Sequence, residues 1–130
     1  MMMIAESTEV SRKILIIEDD QSIREALSEY LEMEGFHTSS VSNGQEAIEY
    51  LISGKTLPNL ILLDLMMPVK DGFQFRIEQL QIPAIQKIPV LLMSADGNAR
   101  EKMGTLPVTA YLKKPLELDH LMDAIKRFAQ

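Results

Sequence analysis

The stretch Asn59-Leu60-Ile61-Leu62-Leu63-Asp64-Leu65-Met66-Met67-Pro68-Val69-Lys70-Asp71-Gly72 decides how the rest of the chain is read. Residues 60–63 form an uninterrupted apolar run between turn signals, the pattern of a short strand buried on both faces. The run stops at a carboxylate. Asp64 therefore stands at the carboxyl end of the strand, where open α/β sheets bind their ligands. A carboxylate fixed there can attack a phosphoryl group or ligate a metal. A plainer reading has Asp64 capping the turn announced by Pro68 and Asp71-Gly72, since Asp is common in turns.

Toward the N-terminus, Lys13-Ile14-Leu15-Ile16-Ile17 is a second strand of this kind, β-branched and unbroken, and it ends in Glu18-Asp19-Asp20. Carboxylates in succession repel one another and raise some of their pKa values, a cost that a divalent cation relieves. The alternative is a solvated acidic loop with Asp20 as a helix N-cap. The expectation combines the two: Glu18 and Asp19 are metal-site carboxylates, and Asp20 lies nearer the rim or caps. A helix is predicted over about 22–33, with Ile23, Ala26, Leu27, Tyr30 and Leu31 as its core stripe and Gly35 at its end. Residues 36–41 read as a more polar strand at a sheet edge. Asn43-Gly44 open a second helix with Ala47, Ile48, Leu51 and Ile52 inward, closed by Gly54.

Toward the C-terminus, a helix is predicted over about 73–80. Phe73, Ile77 and Leu80 share a face there and leave Phe75 off the stripe; Pro83 ends or loosens the helix. Residues 88–93 form a fourth strand, ending in Ser94-Ala95-Asp96-Gly97. Residues 98–104 have room for a short helix only, in a region broken by Gly97, Gly104 and Pro107. A fifth strand over 108–113 is followed by Lys114-Pro115. A last helix over 118–128 turns Leu118, Leu121, Met122 and Ile125 inward. Strand then helix, five times over, implies an α/β fold: a five-stranded parallel sheet with helices on both faces, doubly wound, with right-handed crossovers. No internal repeat, low-complexity tract or linker interrupts it.

A chain of 130 residues suits one domain with a real core, and 46% hydrophobic with 25% charged residues is a globular composition. Thirteen Lys and Arg against nineteen Asp and Glu give a net charge of −6, and no basic tract offsets it. Such a body repels nucleic-acid phosphates, so DNA binding by this chain is not expected. The absence of cysteine excludes disulfides and thiolate metal sites. No apolar run reaches the roughly 18–20 residues of a membrane span. Residues 1–11 lack the basic and apolar regions of a secretory signal and read as a flexible tail ahead of a domain over 12–130, with the cytoplasm as the expected location.

Three strand ends thus converge on one sheet edge: Glu18-Asp19, Asp64 and Ser94-Ala95, with Lys114 after the fifth strand in reach of the same place. Carboxylates can hold Mg2+, which keeps waters and pairs readily with phosphate. A hydroxyl and an ammonium can take the remaining phosphoryl oxygens. Positioning and charge neutralisation are what phosphoryl transfer chiefly needs. Taken singly, the Ser is a turn residue and the Lys a solvated cation; together, after successive strands, they make a site.

With these residues in view, residues 12–130 resemble a receiver domain of a two-component response regulator, the CheY-like family. The matching motifs are Ile-Glu18-Asp19-Asp20, the run from Asp64 to Gly72, Ser94-Ala95, and Tyr111-Leu-Lys-Lys114-Pro115. The resemblance implies that Asp64 accepts a phosphoryl group from the phosphohistidine of a sensor histidine kinase or a histidine phosphotransfer protein. It implies Mg2+ held by Asp19, Asp64 and the backbone carbonyl of Met66, with Glu18 nearby or acting through water. Ser94 would bond a phosphoryl oxygen, Lys114 would pair with its charge, and Pro115 would follow a cis bond. Ser94 and Tyr111 would form a switch in which the ring turns inward when Ser94 moves toward the phosphoryl group. A half-buried aromatic on an ordinary strand is the plainer account of Tyr111. The implied output is docking to a downstream protein or onward relay, by a monomer or a phosphorylation-dependent dimer. The chain is expected to be a stand-alone receiver, although a receiver cut from a larger regulator would read the same.

The sequence departs from the family in a short 94–114 segment carrying Pro107 and in the apolar phase of the third helix. Met66 cannot hydrogen-bond an attacking water through its side chain and Asp96 can, which gives an expected self-hydrolysis that is moderate to slow. Three alternative readings call for other residues. A Mg2+-dependent phosphatase of the haloacid-dehalogenase kind has a second carboxylate where Met66 stands, and a flavodoxin-like binder needs a phosphate-cradling loop where Glu18-Asp19-Asp20 stands. A degenerate receiver that only binds proteins would lack some of the residues named.

Overall fold

The computed structural model describes residues 12–54, 56–95 and 97–129. The expected tail over 1–11 and Asp96 lie outside the described residues. In chain order the elements are β1 (Lys13–Ile17), α1 (Gln21–Met33), β2 (His37–Val41), α2 (Gly44–Ile52), β3 (Leu60–Asp64), α3 (Gly72–Leu80), β4 (Val90–Ser94), α4 (Ala99–Met103), β5 (Ala110–Lys113) and α5 (Leu118–Phe128). The five strands are parallel, in the order β2-β1-β3-β4-β5. The polar strand β2 is at an edge, as its composition predicts, and β1, β3 and β4 lie inside it.

Alternation along the strands divides the core in two, because successive side chains point to opposite faces. Leu15, Ile17, Ile61, Leu63 and Leu92 pack with α2, α3 and α4 through Ala47, Ile48, Leu51, Phe75 and Met103. Ile14, Ile16, Leu60, Leu62 and Leu91 pack with α1 and α5 through Leu27, Leu31, Leu121 and Ile125. The fold is the expected doubly wound sheet. The order reverses at β1, with β2 on one side of it and β3 on the other, so the crevice beyond the carboxyl ends of β1 and β3 is the place for a ligand.

Several expectations need correction. The fourth strand starts at Val90, after Pro89, whose nitrogen has no hydrogen for the ladder. Strand β5 starts at Ala110, and the preceding Thr109 hydroxyl accepts from the Val90 N–H at 3.1 Å. Ile23, Ala26, Ile52 and Leu118, all predicted inward, are exposed. The largest change is in α3. Its buried face carries Gly72, Phe75, Arg76 and Gln79, so Phe75 is the core aromatic and the Phe73–Ile77–Leu80 stripe is not the inner one.

Two polar side chains on that face explain why hydropathy misplaces it. Arg76 donates from Nε to the Pro107 carbonyl and from Nη1 to Gln79 Oε1, both at 2.7 Å. Gln79 donates in turn to the carbonyls of Ile85 at 2.9 Å and Ile88 at 3.2 Å. Buried polar groups are tolerated when bonded in this way. The network ties α3 to the loops before β4 and β5.

Phe75→Ala is expected to cost about 3–5 kcal/mol in urea unfolding, the usual range for a fully buried Phe. Phe73→Ala should cost less than half as much. Equal losses would restore the stripe read from the sequence.

Candidate functional site

Parallel pairing levels the strand ends. Ile17 is in register with Leu63, Asp64 with Met93, and Ser94 with Lys113. The residues just beyond therefore gather at one edge. Glu18 continues β1, its N–H donating to the Val41 carbonyl at 3.1 Å. Arg24, in the first turns of α1, donates to the Glu18 carbonyl at 2.7 Å and so fixes the turn from below. The Asp20 side chain accepts from the Ile23 N–H at 3.1 Å and caps α1, as expected.

Glu18, Asp19 and Asp64 offer carboxylate oxygens that all lie within 4.8 Å of one another. Glu18 is 1% and Asp64 5% exposed, whereas Asp19 is open to solvent. Lys114 holds the two buried acids: Nζ is 2.9 Å from Glu18 Oε1 and 3.4 Å from Asp64 Oδ1. With Met66 and Ala95 these residues line an open pocket of about 560 Å³. The donor set consists of hard oxygens, which suits Mg2+ and not a soft metal.

Burial pushes the Asp64 carboxyl up to about 6, helped by the Glu18 charge and opposed by Lys114 and the Met66 N–H. For Lys114, burial works against the charge, but the carboxylates of Glu18 and Asp64 outweigh it and raise the pKa.

The loop that follows Asp64 is tightly fixed. The Gly72 N–H donates to the Leu65 carbonyl at 2.9 Å. A Cβ on Gly72 would lie 2.8 Å from the Asp64 carbonyl oxygen, so a larger residue would displace the backbone of the site. Val69 has φ 69°, a left-handed conformation costly for a β-branched residue. Its neighbour Lys70 is anchored twice: its carbonyl accepts from the Gly44 N–H at 3.0 Å, and its ammonium pairs with Glu78 on α3.

The structure thus brings together Glu18, Asp19, Asp64, Met66 and Lys114. Ser94, buried at the end of β4, is not on the wall of that pocket. It lines a separate cleft of about 120 Å³ with Tyr111 and Arg100. The Lys114–Pro115 peptide bond is cis. Sequence reasoning missed Arg24 and the packing role of Gly72. The motif Asp71-Gly72 held the signal for the second, but nothing in the sequence marks Arg24 apart from any helix-surface arginine.

The family model of the response regulator receiver domain matches residues 14–126. The chain belongs to the response regulator receiver family. Sporulation initiation phosphotransferase F of Bacillus subtilis is 31% identical to this receiver over 121 residues, covering 92% of this chain and 94% of that protein. The receiver spans about half the length of other curated relatives, from 47% to 56%. Among solved structures, the signal receiver domain of a signal transduction histidine kinase from Syntrophus aciditrophicus is 30% identical with a TM-score of 0.83, covering 92% of this chain and 90% of that one. The Mn(2+)-bound form of response regulator Rcp1 is 28% identical with a TM-score of 0.73, covering 89% and 90%. Receiver domains are signalling domains of two-component systems. Among the described residues, no helix of this one is long and apolar enough to cross a membrane.

A folded-state pKa above the unfolded value near 3.9 means that the native receiver holds this proton more tightly. Stability is then lost as pH rises from about 4 through about 6, and the penalty is fully present above that window. In metal-free buffer near pH 7, Asp64→Asn is expected to raise the unfolding free energy by on the order of 2 kcal/mol. The difference should close near pH 4, and a gain that persists there would contradict the raised pKa.

Proposed function

We propose that residues 12–130 form a phosphoacceptor receiver in which Asp64 takes a phosphoryl group from a phosphohistidine. The observation that carries this reading is a buried carboxylate at the end of β3, beside a second buried carboxylate and a shared ammonium. Asp19, Asp64 and the Met66 carbonyl would hold Mg2+, with Glu18 nearby or acting through water. The three clustered carboxylates fit a hard divalent cation, and a related receiver is known in a Mn(2+)-bound form. Bound there, Mg2+ supplies charge neutralisation for both the carboxylates and the incoming phosphoryl oxygens.

In the transfer, Asp64 Oδ forms the bond to phosphorus as the bond from phosphorus to the donor nitrogen breaks, and the imidazole leaves with the bonding pair. Lys114, already 3.4 Å from Asp64, pairs with a phosphoryl oxygen. Ser94 moves from its cleft to bond another oxygen, and Tyr111 turns into the space beside it. The raised pKa of Asp64 favours a cation at the site, since the free carboxylate is costly there at neutral pH.

The donor would be a sensor histidine kinase or a histidine phosphotransfer protein. Ile23, Ala26 and Leu118, which the fold leaves exposed, join Pro115 and Leu116 in an apolar groove of about 580 Å³ that shares Ile23, Ala95 and Lys114 with the acidic pocket. A helix carrying the phosphohistidine can rest in this groove and reach Asp64. The output would pass to a downstream protein in the cytoplasm, from a monomer or a phosphorylation-dependent dimer. The −6 net charge argues against direct nucleic-acid contact. An aspartyl-nucleophile phosphatase is disfavoured, because Met66 stands where such an enzyme has its general acid.

Intact mass after incubation with acetyl phosphate tests the reading. A gain of one phosphoryl group is expected with Mg2+, at least tenfold less without it, and none in Asp64→Asn. A gain of equal size in the mutant would remove Asp64 from its role.

A further inference from the structure

Tyr111 lies near the middle of β5, at the edge of the sheet, and is half-buried. The guanidinium carbon of Arg100, on the five-residue helix α4, sits 4.2 Å from the centre of its ring. Arg100 is exposed. Tyr111 and Arg100 also line the cleft of about 120 Å³ that Ser94 lines. A space of this size holds several waters, which an entering ring would displace. Tyr111 thus meets a cation and lines the same cleft as Ser94.

We infer that Arg100 is a latch: its stacking on Tyr111 holds the ring out of the cleft beside Ser94 and so biases the receiver toward its unphosphorylated form. The inference rests on the phosphoacceptor reading of Asp64 and adds a regulatory residue to it. A guanidinium on an aromatic face is attracted by the ring quadrupole, modestly at an exposed position. A ring that turns inward leaves the guanidinium behind, so the contact belongs to one state only. Any ligand that favours the inward state must overcome it, and its apparent affinity falls by the population held outward.

The test is a titration with beryllofluoride in saturating Mg2+, followed by fluorine NMR, in four forms of the chain: wild type, Arg100→Met, Tyr111→Ala and the double variant. Methionine keeps a long stem and removes the charge, and at an exposed site it leaves the fold intact. Arg100→Met is expected to tighten beryllofluoride binding by about 2- to 5-fold, the factor that an exposed cation–π contact is worth. In the Tyr111→Ala background the same change should have no such effect. Removing a positive charge would by itself weaken binding of an anion, so tightening has the opposite sign to a general electrostatic effect. Unchanged or weaker binding in Arg100→Met overturns the latch, as does equal tightening without the Tyr111 ring. Wild-type chain that takes up no beryllofluoride would overturn the phosphoacceptor reading, and the latch with it.

Discussion

Two buried carboxylates share one ammonium, and the rest of the structure depends on that shortage of positive charge. Glu18 and Asp64 end adjacent strands, and Lys114 reaches both from the loop after β5. Asp19 adds a third negative charge at the mouth. In a low-dielectric setting such repulsion is strong, and it is not relieved by moving apart, because the strand ladders fix the distances. Burial of Asp64 is therefore sustained by the sheet at a cost to stability, and the cost shows in its raised pKa. A site of this kind gains more from a divalent cation than the same carboxylates would on a mobile loop.

The strands and the acidic cluster were legible because one rule governs both. Uniform apolar runs can be satisfied only inside a parallel sheet, and parallel register brings the residues after those runs to one edge. Once 13–17 and 60–63 are strands, Glu18 and Asp64 have to meet. Helix faces were less legible. The stripe of α1 includes Ile23 and Ala26, yet both are exposed, since periodicity shows which residues share a face and not how far the neighbouring element extends. Leu118 fails in the same way at the start of α5. These exposures fall beside one another and make the groove next to Asp64.

The phase of α3 was hidden for a different reason. Arg76 and Gln79 belong to its inner face because backbone carbonyls at Pro107, Ile85 and Ile88 accept their hydrogens. Those carbonyls come from loops whose paths the sequence does not show. The strand that ends at Ser94 could be read, but not the cleft that Ser94 lines with Tyr111 and Arg100. The segment before β5 is held by Arg76 at the Pro107 carbonyl, by Thr109 at Val90 and by Leu106 and Val108 packed on the core.

A charge added at Asp64 would be felt through the groups beside it that can respond. On the proposed chemistry, a divalent cation with Lys114 balances Glu18, Asp19 and Asp64, and phosphorylation then adds about one further negative charge. The added charge needs donors. Lys114 beside Asp64 takes one phosphoryl oxygen, and the strand that carries Asp64 is anchored in the core. On that reading Ser94, at the end of β4, supplies a hydroxyl for another oxygen. Its movement alters the cleft that Tyr111 borders, and Tyr111 is the point at which Arg100 and α4 touch β5. The site can thus stay fixed while its neighbour moves, because Glu18, Asp64 and Lys114 are tied to one another, whereas Tyr111 meets α4 through an exposed guanidinium.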